Sequence, residues 1–364
     1  TGSLYWKTGM KQIRVALVPR VSGVGGMVSF RRKLSAGMAE RGIEISYDLF
    51  DPGVDRILVI GGTRQLGQLW QARRRGVRIV QRLDGMNWLH RVRKTGFRHY
   101  LRAEYGNLIL RLIRNRLAHR VVYQSIFARK WWENAGGKAG IPSSVVYNGV
   151  DLEVFRPDEQ GGLPTDRVRV LMVEGKIMGG YELGLEHALS MALGLSDQLN
   201  LAHSRIGETG VELVVVGKVI YKTKAGIDRK LARSGSDKQV SLKWAGLVPP
   251  EQVAEFDRSA HLLYSADINA ACPNSVLEGM ASGTPVVAFE TGALPELLAG
   301  GAGKVVPYGG DPWKLDPPNT RSLAEAAFEI LENREVYSRA ARARAENLFG
   351  LDRMVDGYLE AMLG

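Results

Sequence analysis

The sequence predicts an α/β protein of two Rossmann-like, doubly wound domains that face each other across a cleft. Three observations lead there. Short β-branched runs alternate with helical patterns through the first half of the chain. The same alternation restarts after residue 157. Between the halves lies PDEQGGLPTD (157–166), rich in proline, glycine and acid as linkers are. At 364 residues the chain is well beyond the roughly 150 of one domain, so each half can hold its own core. We place the domains at 1–157 and 158–364.

In the first half IRVALV (13–18), RILVIG (56–61), VRIVQR (77–82) and RVVYQ (120–124) read as buried parallel strands. Apolar residues at 27, 30, 34 and 38 predict a helix over 27–41. In the second half RVLMVEG (169–175), VELVVVG (211–217), VSLKWAG (240–246), HLLYS (261–265) and TPVVAFE (284–290) are strand-like. Residues 195–210 are polar and poorly periodic and read as a loop extension. Apolar stripes predict helices over 321–332, 334–348 and 351–363, and the last of these could pack on either domain. The lead segment before Met10 is left out of the fold reasoning.

Composition excludes several classes. No apolar run approaches the roughly 18 residues of a membrane span. Lys11 and Arg14 interrupt the first apolar stretch, so no secretory pattern is present. Cys272 is the single cysteine, which suits a reducing cytosol, and is expected to be a small buried residue. The six histidines show no metal-ligand spacing, so no metal site is expected. Charge is uneven. Residues 1–157 hold 28 Lys+Arg against 10 Asp+Glu, while 158–364 hold 21 against 28. The first domain is therefore expected to meet something acidic.

The basic excess concentrates in 64–130, with 17 cations and 2 acids. Within it Leu101, Tyr105, Leu108, Leu112 and Ile113 recur at helical spacing, with Arg98, Arg102, Arg111 and Arg114 elsewhere on the wheel. Two readings stand: a core-packed helix with a solvated basic face, or a patch that docks on anionic lipid. No nucleic-acid-binding module is visible.

PNSVLEGMASGTP (273–285) carries one acid, Glu278, among small and apolar residues. Ser275 and Glu278 have the spacing of a capping box, which would make the acid a helix-cap partner. The same geometry admits a ligand. A helix starting after a strand offers free amides and a positive dipole end to a phosphate, with Glu278 one turn in to accept sugar hydroxyls. Upstream, Gly23-Val-Gly25-Gly26 follows the first strand, where glycines let backbone approach a bulky or anionic ligand.

PNSVLEGMASGTPVVAFETGALPELL closely resembles the C-terminal signature of glycosyltransferase family 4, retaining enzymes of the GT-B fold. RLAHRVVYQSIFARKWWENAGG (116–137) with SSVVYNGVDLEVFRP (143–157) resembles the family's last N-domain strand, helix and crossover. Lys304–Pro307 with Gly310-Asp311-Pro312 resembles its G-x-x-V-P…G-D-P stretch. The resemblance implies that a nucleoside-diphosphate sugar sits mainly on the second domain and the acceptor on the first. It places the nucleotide ribose on Glu278, the diphosphate and sugar on the amides of Asn274, Ser275, Val276 and Leu277, and the glycine loop at Gly25 and Gly26. It also implies sugar transfer to a hydroxyl of a glycan or lipid-linked acceptor, with no metal.

Three departures from the family pattern concern the same site. Ala270 stands where the first glutamate of its E-x7-E motif falls, with Asp267 or Asn269 as substitutes. Gly175-Lys176 supplies one cation of the usual basic pair, Gly179-Gly180 occupies the place of the other, and Lys218 is a replacement. Asp84, in RLDGMNWLH, stands near the place of the family's histidine, with His90 further on. Lys176, Glu278 and Asp84 are thus the expected catalytic residues. Asn148-Gly149 reads as a tight turn. Two other functions stay open: a GT-B protein that binds nucleotide-sugar or glycan without transfer, and a dinucleotide oxidoreductase suggested by Gly23-x-Gly25 with Asp48, although Val28 replaces the third glycine. The expected location is cytoplasmic, peripheral on the inner face of the membrane.

Overall fold

The computed structural model describes residues 13–20, 22–23, 25–158, 162–177, 182–202, 210–236 and 238–364. The lead segment, Lys11, Gly179 and Gly180 lie outside them. The first domain runs β1 (Arg14–Val18), α1 (Gly26–Glu40), β2 (Glu44–Ser46), β3 (Arg56–Ile60), α2 (Leu66–Arg74), β4 (Arg78–Leu83), α3 (Leu89–Val92), α4 (Phe97–Leu112), a short π-helical turn, β5 (Arg120–Tyr123), α5 (Ile126–Gly136) and β6 (Ser143–Val145). The second runs β7 (Val168–Ile177), α6 (Leu183–Leu201), β8 (Val211–Val219), α7 (Tyr221–Ser234), β9 (Val240–Gly246), α8 (Pro250–Arg258), β10 (Leu262–Tyr264), α9 (Asn274–Ala281), β11 (Val286–Phe289), α10 (Leu294–Leu297), β12 (Gly303–Val306), α11 (Thr320–Glu332), α12 (Arg334–Leu348) and α13 (Leu351–Leu363).

Each domain holds one six-stranded sheet, ordered β2-β1-β3-β4-β5-β6 and β12-β11-β10-β7-β8-β9. Every pairing is parallel, for example Ala16↔Ile57 and Leu263↔Leu171. The continuous apolar runs follow, since helices cover both faces of such sheets. The strand order reverses between β1 and β3, and between β7 and β10. Ligands of open α/β sheets bind outside the carboxyl ends of the strands at such switch points.

The expected loop over 195–210 is corrected in part. Residues 195–201 continue α6, because Leu195 and Leu199 lie one turn apart and both are buried against the second sheet. Residues 203–209 are outside the described set. Strands β2 and β6, of three residues each at the sheet edges, carry too little apolar pattern to have been read.

Helix α13 packs on the first domain although it ends the chain. Met354, Val355, Tyr358 and Met362 share a buried cluster with Val15, Phe30, Leu34 and Val80. Phe30 and Tyr358 meet edge to face at 5.0 Å. Gly37 is where α1 and α13 touch: a Cβ there would lie 2.5 Å from a Val355 methyl.

The domains also meet through polar and aromatic contacts. Glu296 of α10 accepts the amides of Ile126 (3.0 Å) and Phe127 (2.8 Å) at the start of α5, and the Tyr147 hydroxyl at 3.0 Å. A carboxylate from one domain thus caps a helix of the other. Trp313, in the loop after β12, reaches Trp88 (5.2 Å), Trp131 (4.8 Å) and Phe127 (6.2 Å) of the first domain. Glu296→Ala should cost about 2 kcal/mol in denaturant unfolding, because two amides and a hydroxyl lose a charged acceptor. An unchanged midpoint would mean that water satisfies those groups equally well.

Candidate active site

A cleft of about 980 Å³ separates the domains at the carboxyl ends of both sheets. Of the expected site residues, Asp84, Gly25, Gly26, Asn274, Ser275 and Glu278 line it. Val276 and Leu277 are fully buried beneath, so only their backbone faces the question of a ligand. Gly25 has φ +144, a conformation L side chains rarely adopt, and open space stands beside both Gly25 and Gly26.

The capping box does not form. Helix α9 starts at Asn274 after Pro273, and no side chain caps it. The Glu278 carboxylate turns to the other domain instead: Oε1 is 3.2 Å from Nζ of Lys33 on α1. Burial pushes the Glu278 carboxyl up, and Lys33 and Arg32 pull it down. The amides of Asn274, Ser275 and Val276 are left for a ligand, while that of Leu277, expected among them, already donates to the Pro273 carbonyl at 3.4 Å.

Asn148-Gly149 is no turn. Residues 146–149 are irregular, and Asn148 is buried in the junction between domains. Its Nδ2 donates to the Cys272 carbonyl at 2.9 Å and to Asn274 Oδ1 at 3.0 Å, while its Oδ1 accepts from Arg82 at 3.1 Å. Cys272 is buried as expected, and burial pushes its thiol up to about 12, far from a nucleophile.

Lys176 and Lys218 stand apart from the cleft lining. They are partners across β7 and β8, and Lys176 is exposed with Lys218 beside it. The register of this pair shifts between Val173 and Lys176, so Glu174 and Gly175 face the cleft and the lysine does not. Cations that do line it come from the first domain: Arg64, Arg82 and Arg102. Arg82 is 2% exposed and lies 3.8 Å over the Phe30 ring. Asp84 beside it has a carboxyl raised by burial, and its carbonyl accepts from the Trp132 indole at 2.6 Å. His90 also lines the cleft and is buried, held by Glu104 at 2.8 Å.

At the second switch point Glu174 of β7 and Asp267 after β10 both line the cleft. Burial raises both carboxyls, Asp267 to about 6, and Asp267 raises Glu174 further. Asn269, φ 57 and 4% exposed, lines the same wall with its amide nitrogen unpaired. Ala270 lines the same cleft as these two acids and the amide, so the acid absent at 270 has groups of like chemistry in the lining. A carboxyl raised above its unfolded value favours the fold while protonated, and that contribution is lost as pH rises through about 6. Asp267→Asn should raise the free energy of unfolding at pH 8, on the order of 2 kcal/mol, and leave it unchanged near pH 4. A shift of equal size at both pH values would rule this account out.

Helix α4 forms the rim of the first domain. His99, Arg102, Gly106 and Ile109 line the cleft. The apolar stripe faces solvent instead of the core: Phe97 is 76% exposed, Leu108 61%, Leu101 52% and Tyr105 50%. The face turned inward is the one with Ala103, Asn107 and Ile109, and Asn107 ties it down. Asn107 accepts the Asn87 amide and donates to the Asn87 carbonyl, both at 2.9 Å. Ile113 alone of the stripe is in the core, and Arg114 is buried against Tyr123 and Trp132. The core-packed reading of the stripe is thus corrected.

Two parallel doubly wound sheets with a ligand-sized cleft at their carboxyl ends, and a helix start aimed into it, make the GT-B architecture. Solved structures of that fold match along nearly the whole chain. Sucrose-phosphate synthase from Thermosynechococcus elongatus matches with TM-score 0.68 and 16% identity over 96% of this chain and 98% of that one. HepE of Anabaena, in complex with UDP and glucose, matches with TM-score 0.66 and 16% identity over 96% and 99%. WaaG, a glycosyltransferase involved in lipopolysaccharide biosynthesis, matches with TM-score 0.66 and 14% identity over 97% and 100%. The family profile described as Glycosyl transferases group 1 matches residues 194–333, which include α9 and Glu278. No curated protein matches the chain in sequence. The chain thus has the fold of these solved structures along nearly its whole length, and its residues 194–333 are similar to the group 1 glycosyltransferases.

Proposed function

We propose that this chain moves a sugar, with retention, from a nucleoside-diphosphate sugar to a hydroxyl of a glycan or lipid-linked acceptor. The observation that carries the reading is the convergence of Glu278 and the uncapped start of α9 on the cleft. Glu278 accepts ribose hydroxyls one turn into the helix. The amides of Asn274, Ser275 and Val276 take the diphosphate, where charge builds as the sugar leaves. Arg82 and Arg102 add positive potential from the facing domain. Glu174, Asp267 and Asn269 stand where sugar hydroxyls need acceptors and a donor. The departing phosphate oxygen takes the proton of the acceptor hydroxyl. HepE is described with UDP and glucose, which supports a uridine nucleotide as the first to try.

The acceptor side rests on α4. Its exposed apolar stripe adjoins the cleft mouth, flanked by the exposed cations Arg91, Lys94, Arg98, Arg102 and Arg116. Glu104, the only acid between residues 85 and 132, is held to about 2 by Arg91 and His90, so it is ionised and offsets one of these charges. Such a face fits an anionic membrane surface, with apolar chains among the acyl groups and arginines at the headgroups. No helix among the described residues is long and apolar enough to cross a membrane, so the attachment proposed is peripheral. Calorimetry with UDP, GDP and ADP, then turnover of the matching nucleotide-sugars with lipid-linked and free glycans, tests the reading. A nucleotide that binds without any turnover would favour the non-transferring alternative.

A further inference from the structure

Lys33 was invisible as a site residue, lying 245 positions from its partner. It sits two turns into α1, and its Nζ makes two hydrogen bonds at once. One goes to Glu278 Oε1 at 3.2 Å and the other to the Gly149 carbonyl at 3.0 Å. Gly149 belongs to the crossover between the domains. The lysine therefore ties the first domain, the crossover and α9 into one point. Both side chains of the pair are mostly buried, Lys33 13% and Glu278 15% exposed.

The two partners differ in one respect. Glu278 lines the cleft and Lys33 does not. Lys33 approaches the carboxylate from behind, and no hydrogen bond among the described residues engages Oε2. The charged groups facing Glu278 are Lys33 and Arg32 from α1 and Asp257 from α8. Asp257 is fully buried with both carboxylate oxygens unpaired. Burial, and then Glu278, hold the Asp257 carboxyl well above its usual range, so Asp257 carries its own proton. Burial also presses Glu278 to take up a proton and Lys33 opposes it, and a protonated carboxyl is a poor acceptor for two hydroxyls.

We propose that Lys33 is a positioning residue for the nucleotide: it holds Glu278 ionised and aimed from behind, leaving Oε2 free for the ribose. This rests on the reading of Glu278 as the ribose acceptor. The consequence is a coupling between domains. Glu278 is ready for a nucleotide only while the first domain stands where Lys33 can reach it, so donor binding favours this arrangement of the domains.

The test is calorimetry of UDP, GDP and ADP on wild type, Lys33→Met, Lys33→Arg and Glu278→Ala, from pH 6.5 to 8.5. Wild type at each pH removes the titration of the nucleotide itself. Lys33→Met should weaken binding most at pH 6.5, on the order of tenfold, with the loss shrinking as pH rises and Glu278 ionises. Lys33→Arg should restore it. If Lys33→Met fails to fold, Lys33→Gln keeps a donor for the Gly149 carbonyl without the charge. The proposal is overturned if Lys33→Met binds like wild type, or is weakened equally at every pH as a plain strut between domains would be. A loss in Glu278→Ala without one in Lys33→Met sinks this inference alone. Glu278→Ala binding like wild type removes the ribose reading along with it.

Discussion

Glu278→Gln should lower nucleotide affinity about 100-fold while the protein melts as a folded GT-B chain. The reason is the number and kind of bonds lost. A carboxylate accepting two ribose hydroxyls makes two charge-assisted bonds, each worth roughly 1.5–3 kcal/mol. The amide keeps the shape of the side chain and one acceptor oxygen, so the helix and its packing persist. Glutamine leaves Lys33 with the Gly149 carbonyl and a neutral oxygen, a loss that belongs to stability and is read separately by thermal unfolding. The comparison to make is calorimetry of the tightest nucleotide against both proteins. Equal affinities would return Glu278 to an ion-pair partner across the cleft and move the ribose elsewhere on the wall that holds Glu174 and Asp267.

The double variant Leu101→Ser/Leu108→Ser should lose about 100-fold in binding to vesicles of anionic phospholipid. Each leucine that leaves water for acyl chain is worth roughly 1.5–3 kcal/mol, and both are more than half exposed. Because neither lies in the cleft lining, nucleotide affinity should not move. Sedimentation with vesicles at low and high salt separates the two contributions. Salt screens the arginines and leaves the leucines. Binding that survives the substitutions and vanishes in salt would make the attachment purely electrostatic. No sedimentation of wild type even at low salt would leave the stripe without a membrane role.

The fold was largely legible because its signals are local. Parallel strands buried on both faces need unbroken β-branched runs, and these stand at β1, β3, β4 and β5 and again at β7, β8 and β9. The last three helices match their apolar stripes to within a residue. The α6 extension was missed because its helix pattern is carried by only two leucines among polar residues. The site was legible where it is one continuous segment: 273–278 reaches the cleft as a strand-to-helix turn should. Asn148 was misread because Asn-Gly is a turn signal only when nothing buries it, and here three hydrogen bonds do.

Residue order and periodicity were enough for two doubly wound domains, a basic first half and a helix start carrying one acid, since each depends on neighbours within a few turns of chain. Packing alone decided the rest. It turned Lys176 away from the cleft through a local shift in strand register. It rotated the α4 stripe outward, because a wheel shows that a stripe exists and not which side meets the sheet. It seated α13 on the far domain and brought Lys33 to Glu278. Those contacts join segments from opposite ends of the chain, and short-range pattern holds no record of which distant groups the folded surfaces bring together.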